Sequence, residues 1–151
     1  MSQTPHTLLA AGFAKLEDWR DGKVNDTPTP AIGALGELIA SSVLGVPIVS
    51  QTEDLFDLQM GSRTIEVKAR TKNNRICLRN KTCHEVALVR LARGKDAEDR
   101  HAIVVDSIRI RCASKDCSNR DWQTVPHALP PFRHTFEQTC DLLKAYSASD
   151  T

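Results

Sequence analysis

Aromatic residues are scarce in this sequence: two Trp, one Tyr and four Phe in 151 residues. That scarcity argues against a surface that binds nucleic acid mainly by stacking bases on rings, which needs several aromatics along one groove. Long apolar runs are missing too. None approaches the ~20 residues that span a bilayer, so no membrane partner is expected. The opening residues, MSQTPHTLLAAGFAKLEDWR, have neither the basic start nor the long apolar segment of a secretory signal. The expected location is cytoplasmic.

Cysteines are few and odd in number: Cys77, Cys83, Cys112, Cys117 and Cys140. With no export signal, the expectation is reduced thiols rather than a disulfide framework. Cys83-His84 with Cys112 and Cys117 does not match the ligand spacing of a zinc site, and no zinc is expected.

Net charge is also small, +1 overall, but it is unevenly placed. Residues 1–62 hold three Lys/Arg against eight Asp/Glu, and residues 96–151 hold seven against nine. Residues 63–95 hold ten against two, a local charge of +8. A cationic block inside a nearly neutral chain suits a polyanionic partner such as nucleic acid. The plainer alternative is a solvated face.

The length suits one domain. It divides into residues 1–28 (helix and connector), 29–112 (core) and 113–151 (extension and final helix). Leu8, Leu9, Phe13, Leu16 and Trp19 predict a first helix over 7–20. A turn-rich connector, DGKVNDTPTP, follows. Thr29 is a suitable N-cap with Pro30 behind it, and Ile32, Leu35, Ile39 and Val43 form an apolar stripe ending at Gly45. Gly33, Gly36 and Ala40 make a strip of small residues that permits close packing, with Glu37 on its flank. Val46–Ser50, Arg75–Arg79, Val86–Ala92 and Ala102–Ile110 read as strands, although the third also tolerates a helical period. Residues 112–133 read as irregular. Phe136, Cys140 and Leu143 support a final helix. Helices around several strands indicate an α/β or α+β sheet.

The informative stretch is FDLQMGSRTIEVKA, Phe56 to Ala69. Gly61-Ser62 is a Gly-first pair suited to a two-residue hairpin turn. That turn pairs Met60 with Arg63, Gln59 with Thr64, Leu58 with Ile65 and Asp57 with Glu66. Directly opposed side chains lie about 4.5–5.5 Å apart on one face, and Lys68, two residues on, points to the same side. Two opposed carboxylates repel, so a compensating charge is expected. Lys68 supplies part of it. A hard divalent cation, which prefers carboxylate oxygens, supplies it better.

These residues resemble a family. Asp57, eight residues, then Glu66-Val67-Lys68 resembles the PD-(D/E)XK motif of the restriction-endonuclease-like nucleases. GELIASSVLG, Gly36 to Gly45, resembles the helix that precedes it in that superfamily. The likeness covers about Ala31 to Arg70 closely and extends loosely to Ile110. Phe56 stands where the motif has Pro, and Asp54 is a less favoured alternative acid.

The resemblance implies a restriction-endonuclease-like α/β core, a central mixed sheet flanked by helices. It implies Mg²⁺-dependent endonucleolytic hydrolysis of DNA, with Mn²⁺ as a substitute and RNA as an alternative substrate. Asp57, Glu66 and the Val67 carbonyl would hold the metal. Lys68 would position the water, and Glu37 would add a further carboxylate. Arg63, Arg70, Lys72, Arg75, Arg79 and Lys81 would contact the nucleic acid. Stand-alone members of similar size include restriction, repair and junction-resolving enzymes, many of them homodimers. The competing expectations are an inactive nuclease-fold module that binds nucleic acid or assembles with partners, and a structural protein whose cationic block binds an acidic partner.

Overall fold

Helix formation begins at Thr4, whose hydroxyl accepts the Thr7 N–H and caps α1, Pro5–Arg20. The computed structural model describes residues 4–49, 57–71, 85–112 and 122–146. The second helix, α2, spans Thr29–Leu44 and starts one residue earlier than expected. Pro28 occupies the cap position, and the Thr29 hydroxyl turns back to the Thr27 carbonyl instead of capping the helix. Gly45 stops α2 with a φ of 69°, a left-handed conformation that glycine adopts without strain.

Five strands follow among the described residues: β1 (Leu58–Met60), β2 (Arg63–Arg70), β3 (Glu85–Lys95), β4 (His101–Cys112) and β5 (Gln123–Thr124). They form one sheet in the order β1-β2-β3-β4-β5. The β2–β3 pair is parallel and the others are antiparallel, so the sheet is mixed. The fold is therefore α/β, completed by α3, Phe136–Ala145, whose capping box joins Thr135 and Gln138.

Residues 86–92 resolve as strand, not helix, within the longer β3. The expected strand at 46–50 reduces to one bridge, Ile48 to Leu58. The expected irregular region 112–133 contains β5 and a second bridge, Phe132 to Ile103. The strand expected at 75–79 lies outside the described residues.

One face of the sheet packs on the helices. Ile65, Val67 and Ala69 of β2 and Ala87, Val89 and Leu91 of β3 join α1 and α2 in a single core. Alternation then turns Glu66, Lys68 and Arg70, with Val86, Leu88 and Arg90, to the opposite face. The helix approaches closely at one point. A Cβ built on Gly36 would lie 2.5 Å from the Cβ of Ala69. Gly33, expected to share this role, faces open space. The Gly36 contact seats α2 directly on β2 and brings the next residue, Glu37, to the strand's edge.

The expectation of reduced thiols is revised at one position. Cys112 is disulfide-bonded. Cys140, the other cysteine among the described residues, is a free thiol. An odd count prevents complete pairing but not a single bond, which depends on Cα separation that spacing does not reveal. Among the described residues no helix is long and apolar enough to cross a membrane.

Candidate active site

The hairpin forms with the expected register for three pairs: Met60 with Arg63, Gln59 with Thr64 and Leu58 with Ile65. The fourth expected pair, Asp57 with Glu66, is not made. The Asp57 N–H instead donates to the Ile65 carbonyl at 2.8 Å. Asp57 and Leu58 together thus oppose Ile65, the two-against-one arrangement of a β-bulge, which re-aims the side chain of the extra residue. A turn sequence fixes the register next to the turn, but a bulge three pairs away leaves no local signal in it.

The bulge sends the Asp57 carboxylate along the edge of β2. Its Oδ2 accepts the Val67 N–H at 2.8 Å. The Asp57 carbonyl accepts the Val49 N–H at 3.1 Å. Backbone on both sides therefore fixes this residue. Within a strand, a residue's N–H and C=O point to the same neighbouring edge, so the Val67 carbonyl faces the edge that Asp57 occupies.

Glu37 meets Asp57 from α2, where it is half-buried. Burial is the largest cause pushing the Glu37 carboxyl up to about 8, followed by the Asp57 charge and a hydrogen bond to Asp57. At neutral pH Glu37 therefore holds a proton and donates it to the Asp57 carboxylate. Two carboxyls this close cannot both ionise without a compensating charge. Here a proton supplies that charge.

Glu66 and Lys68 form the other half of the site on the sheet's far face, with Lys68 Nζ 2.7 Å from Glu66 Oε1. The fold places the four predicted side chains as two separate pairs, Glu37 with Asp57 on the helix side and Glu66 with Lys68 on the far face. The backbone of Val67 links the pairs: Asp57 holds its N–H, and its chain neighbours are Glu66 and Lys68. Among the described residues no three His, Cys, Asp or Glu side chains gather closely enough to hold a metal ion as a group. The oxygens of Asp57 and Glu37 and the Val67 carbonyl are the hard donors that Mg²⁺ or Mn²⁺ prefers.

The predicted nucleic-acid contacts divide. Arg63 pairs with Glu85 through two bonds, Nε to Oε1 at 2.5 Å and Nη2 to Oε2 at 3.0 Å. It shares the alternation of Ile65 and Val67, on the helix-packed side, and ties β2 to β3. Arg70 lies on the face of Glu66 and Lys68, with Nη1 donating to the Ala69 carbonyl at 2.9 Å. Lys72, Arg75, Arg79 and Lys81 lie outside the described residues. Arg90, which the sequence offers only as a member of the basic block, is the β3 partner of Arg70. Nothing local signals that placement, because it depends on parallel pairing between distant segments. No family model, curated protein or solved structure matches this chain.

Proposed function

We propose that this chain is a Mg²⁺-dependent nuclease that hydrolyses DNA phosphodiester bonds on a restriction-endonuclease-like core. The observation that carries the reading is the anchoring of Asp57 on the backbone between Glu66 and Lys68, with Glu37 against it. A surface strand with stray charges has no reason to bind an acid to the amide between an acid and a lysine, nor to half-bury a further acid beside it.

In this reading Asp57, Glu66 and the Val67 carbonyl would hold the cation, with Glu37 as a further carboxylate beside Asp57. The cation would neutralise charge on the phosphate oxygens. Lys68 orients the attacking water and stabilises negative charge developing at phosphorus. Its ion pair with Glu66 keeps the ammonium in place until substrate arrives. The Val67 N–H holds the Asp57 carboxylate in one orientation, which limits the reorganisation needed on binding.

A second reading is an inactive nuclease-fold module that binds nucleic acid or assembles with partners. One observation favours it: without a metal, the charged groups already satisfy one another as two pairs. The readings separate on incubation of the chain with plasmid, linear, single-stranded and branched DNA, with Mg²⁺ or with EDTA. Metal-dependent cleavage that disappears in Glu66→Ala supports the nuclease. Binding with every substrate intact supports the module.

A further inference from the structure

His6 and Cys140 are 134 residues apart in the chain, yet His6 Nδ1 lies 3.7 Å from Cys140 Sγ. His6 sits in the first turn of α1 and Cys140 in the middle of α3. The His6 ring stands edge-on to Phe136, with ring centroids 5.0 Å apart. Phe136 and Cys140 are four positions apart on α3 and so share one side of that helix. Phe136 therefore holds the imidazole beside the sulfur. The pair opens on a cavity of about 380 Å³, which Ser41, Ser42, Asp141 and Lys144 also line. The Asp141 and Glu137 charges both reach the sulfur, so the field there is negative despite Lys144.

We propose that Cys140 Sγ and His6 Nδ1 together chelate one Zn²⁺ or a similar borderline-soft divalent ion, with water from the cavity in its remaining positions. Thiolate sulfur and imidazole nitrogen are the donors such ions prefer. The spacing fits one ion. Zn–S is about 2.3 Å and Zn–N about 2.0–2.1 Å, so a tetrahedral angle at the metal sets the two donor atoms about 3.5–3.6 Å apart. The observed 3.7 Å corresponds to an angle of about 116°. Nitrogen and sulfur need hardly move to accept the ion. On binding, the thiol proton goes to solvent, and the ion exchanges two of its waters for the sulfur and the nitrogen. Among the described residues no third His, Cys, Asp or Glu completes a metal-binding group with the pair. The site is therefore exchangeable and weaker than a closed four-ligand centre. Bound there, the ion ties the start of α1 to α3. The inference is independent of the nuclease reading and uses none of its residues.

The test is titration of the full chain with Co²⁺, a spectroscopic stand-in for Zn²⁺ whose charge-transfer band reports a bound thiolate and ignores carboxylate sites. The parent, His6→Gln and Cys140→Ser are compared without added thiol. The parent should give the band, and added Zn²⁺ should displace it. Cys140→Ser should abolish it. His6→Gln should weaken Co²⁺ binding by at least about 10-fold, since losing even a group behind a metal ligand costs that much. His6 is exposed, so its substitution keeps the fold and decides the question if Cys140→Ser does not fold. No band in the parent overturns the proposal and leaves the contact as an S–H···N hydrogen bond. A band undiminished in Cys140→Ser belongs to another cysteine and overturns it too. Equal Co²⁺ affinity in the parent and His6→Gln does the same, because the sulfur then binds without the imidazole.

Discussion

The Val67 N–H donates to Asp57 Oδ2 across 2.8 Å, linking an acid on the bulged end of the hairpin to the residue between Glu66 and Lys68. This bond gives Asp57 a structural role beside the chemical one proposed for it, and the two separate by substitution. Asp57→Ala leaves the Val67 N–H without its acceptor and should destabilise the fold by about 1–3 kcal/mol. Asp57→Asn keeps an acceptor oxygen and should unfold near the parent's denaturant midpoint while losing DNA cleavage. Urea unfolding and plasmid cleavage on the same preparations check this. An Asn variant as active as the parent would remove Asp57 from the chemistry.

Glu37 predicts a pH dependence of stability. Its carboxyl titrates at about 8 in the folded chain against an ordinary value of 4.5. Between those values the folded state holds a proton that the unfolded state has released. The stability contributed by this proton is complete below pH ~4.5 and is lost as pH rises through about 8. Glu37→Gln, which stays neutral, should flatten this decline and be more stable than the parent above pH ~8. Chemical denaturation from pH ~5 to ~9 measures it. Equal declines in both proteins would assign the slope to other groups.

The Glu66–Lys68 pair should matter little for folding. A pair of this kind on one strand contributes roughly 1 kcal/mol or less. Lys68→Ala should therefore leave the thermal midpoint almost unchanged yet reduce cleavage about 100-fold or more, the scale on which a positioned proton-handling group acts. Comparable losses of stability and activity would mark the pair as structural.

Gly36 sets the distance between α2 and β2. Gly36→Ala would place a methyl group 2.5 Å from the Ala69 Cβ, and overpacking of this kind costs about 1–3 kcal/mol. The helix must shift, and Glu37 shifts with it. Adding Ala69→Gly removes the opposing methyl and should recover most of the stability and activity. Failure of the double variant to recover would show that Gly36 serves something other than this contact.

Much of this architecture was legible in the sequence, for reasons that differ by element. The stripe from Ile32 to Val43 and the Gly45 stop are local features, and α2 appears where they indicate. Gly61-Ser62 specifies a turn, and the three pairs next to it follow. Legibility ended where non-local geometry took over. The bulge at Asp57 depends on Val49 binding its carbonyl while Ile65 accepts its N–H, which the hairpin sequence does not encode. Arg63 reads as one more cation in a basic block, but it is bound to Glu85, which lies on another strand. The pairing of Arg90 with Arg70 depends on a parallel register between distant segments. The Cys112 bond required a separation between chain segments that no count of cysteines supplies.

The most direct test of the central claim is conversion of supercoiled plasmid by the parent and by Lys68→Ala, purified side by side and assayed with Mg²⁺ and with EDTA. The account predicts nicked or linear product from the parent with Mg²⁺ alone, and almost none from Lys68→Ala. Intact plasmid with the parent, or equal cutting by the two proteins, would contradict it.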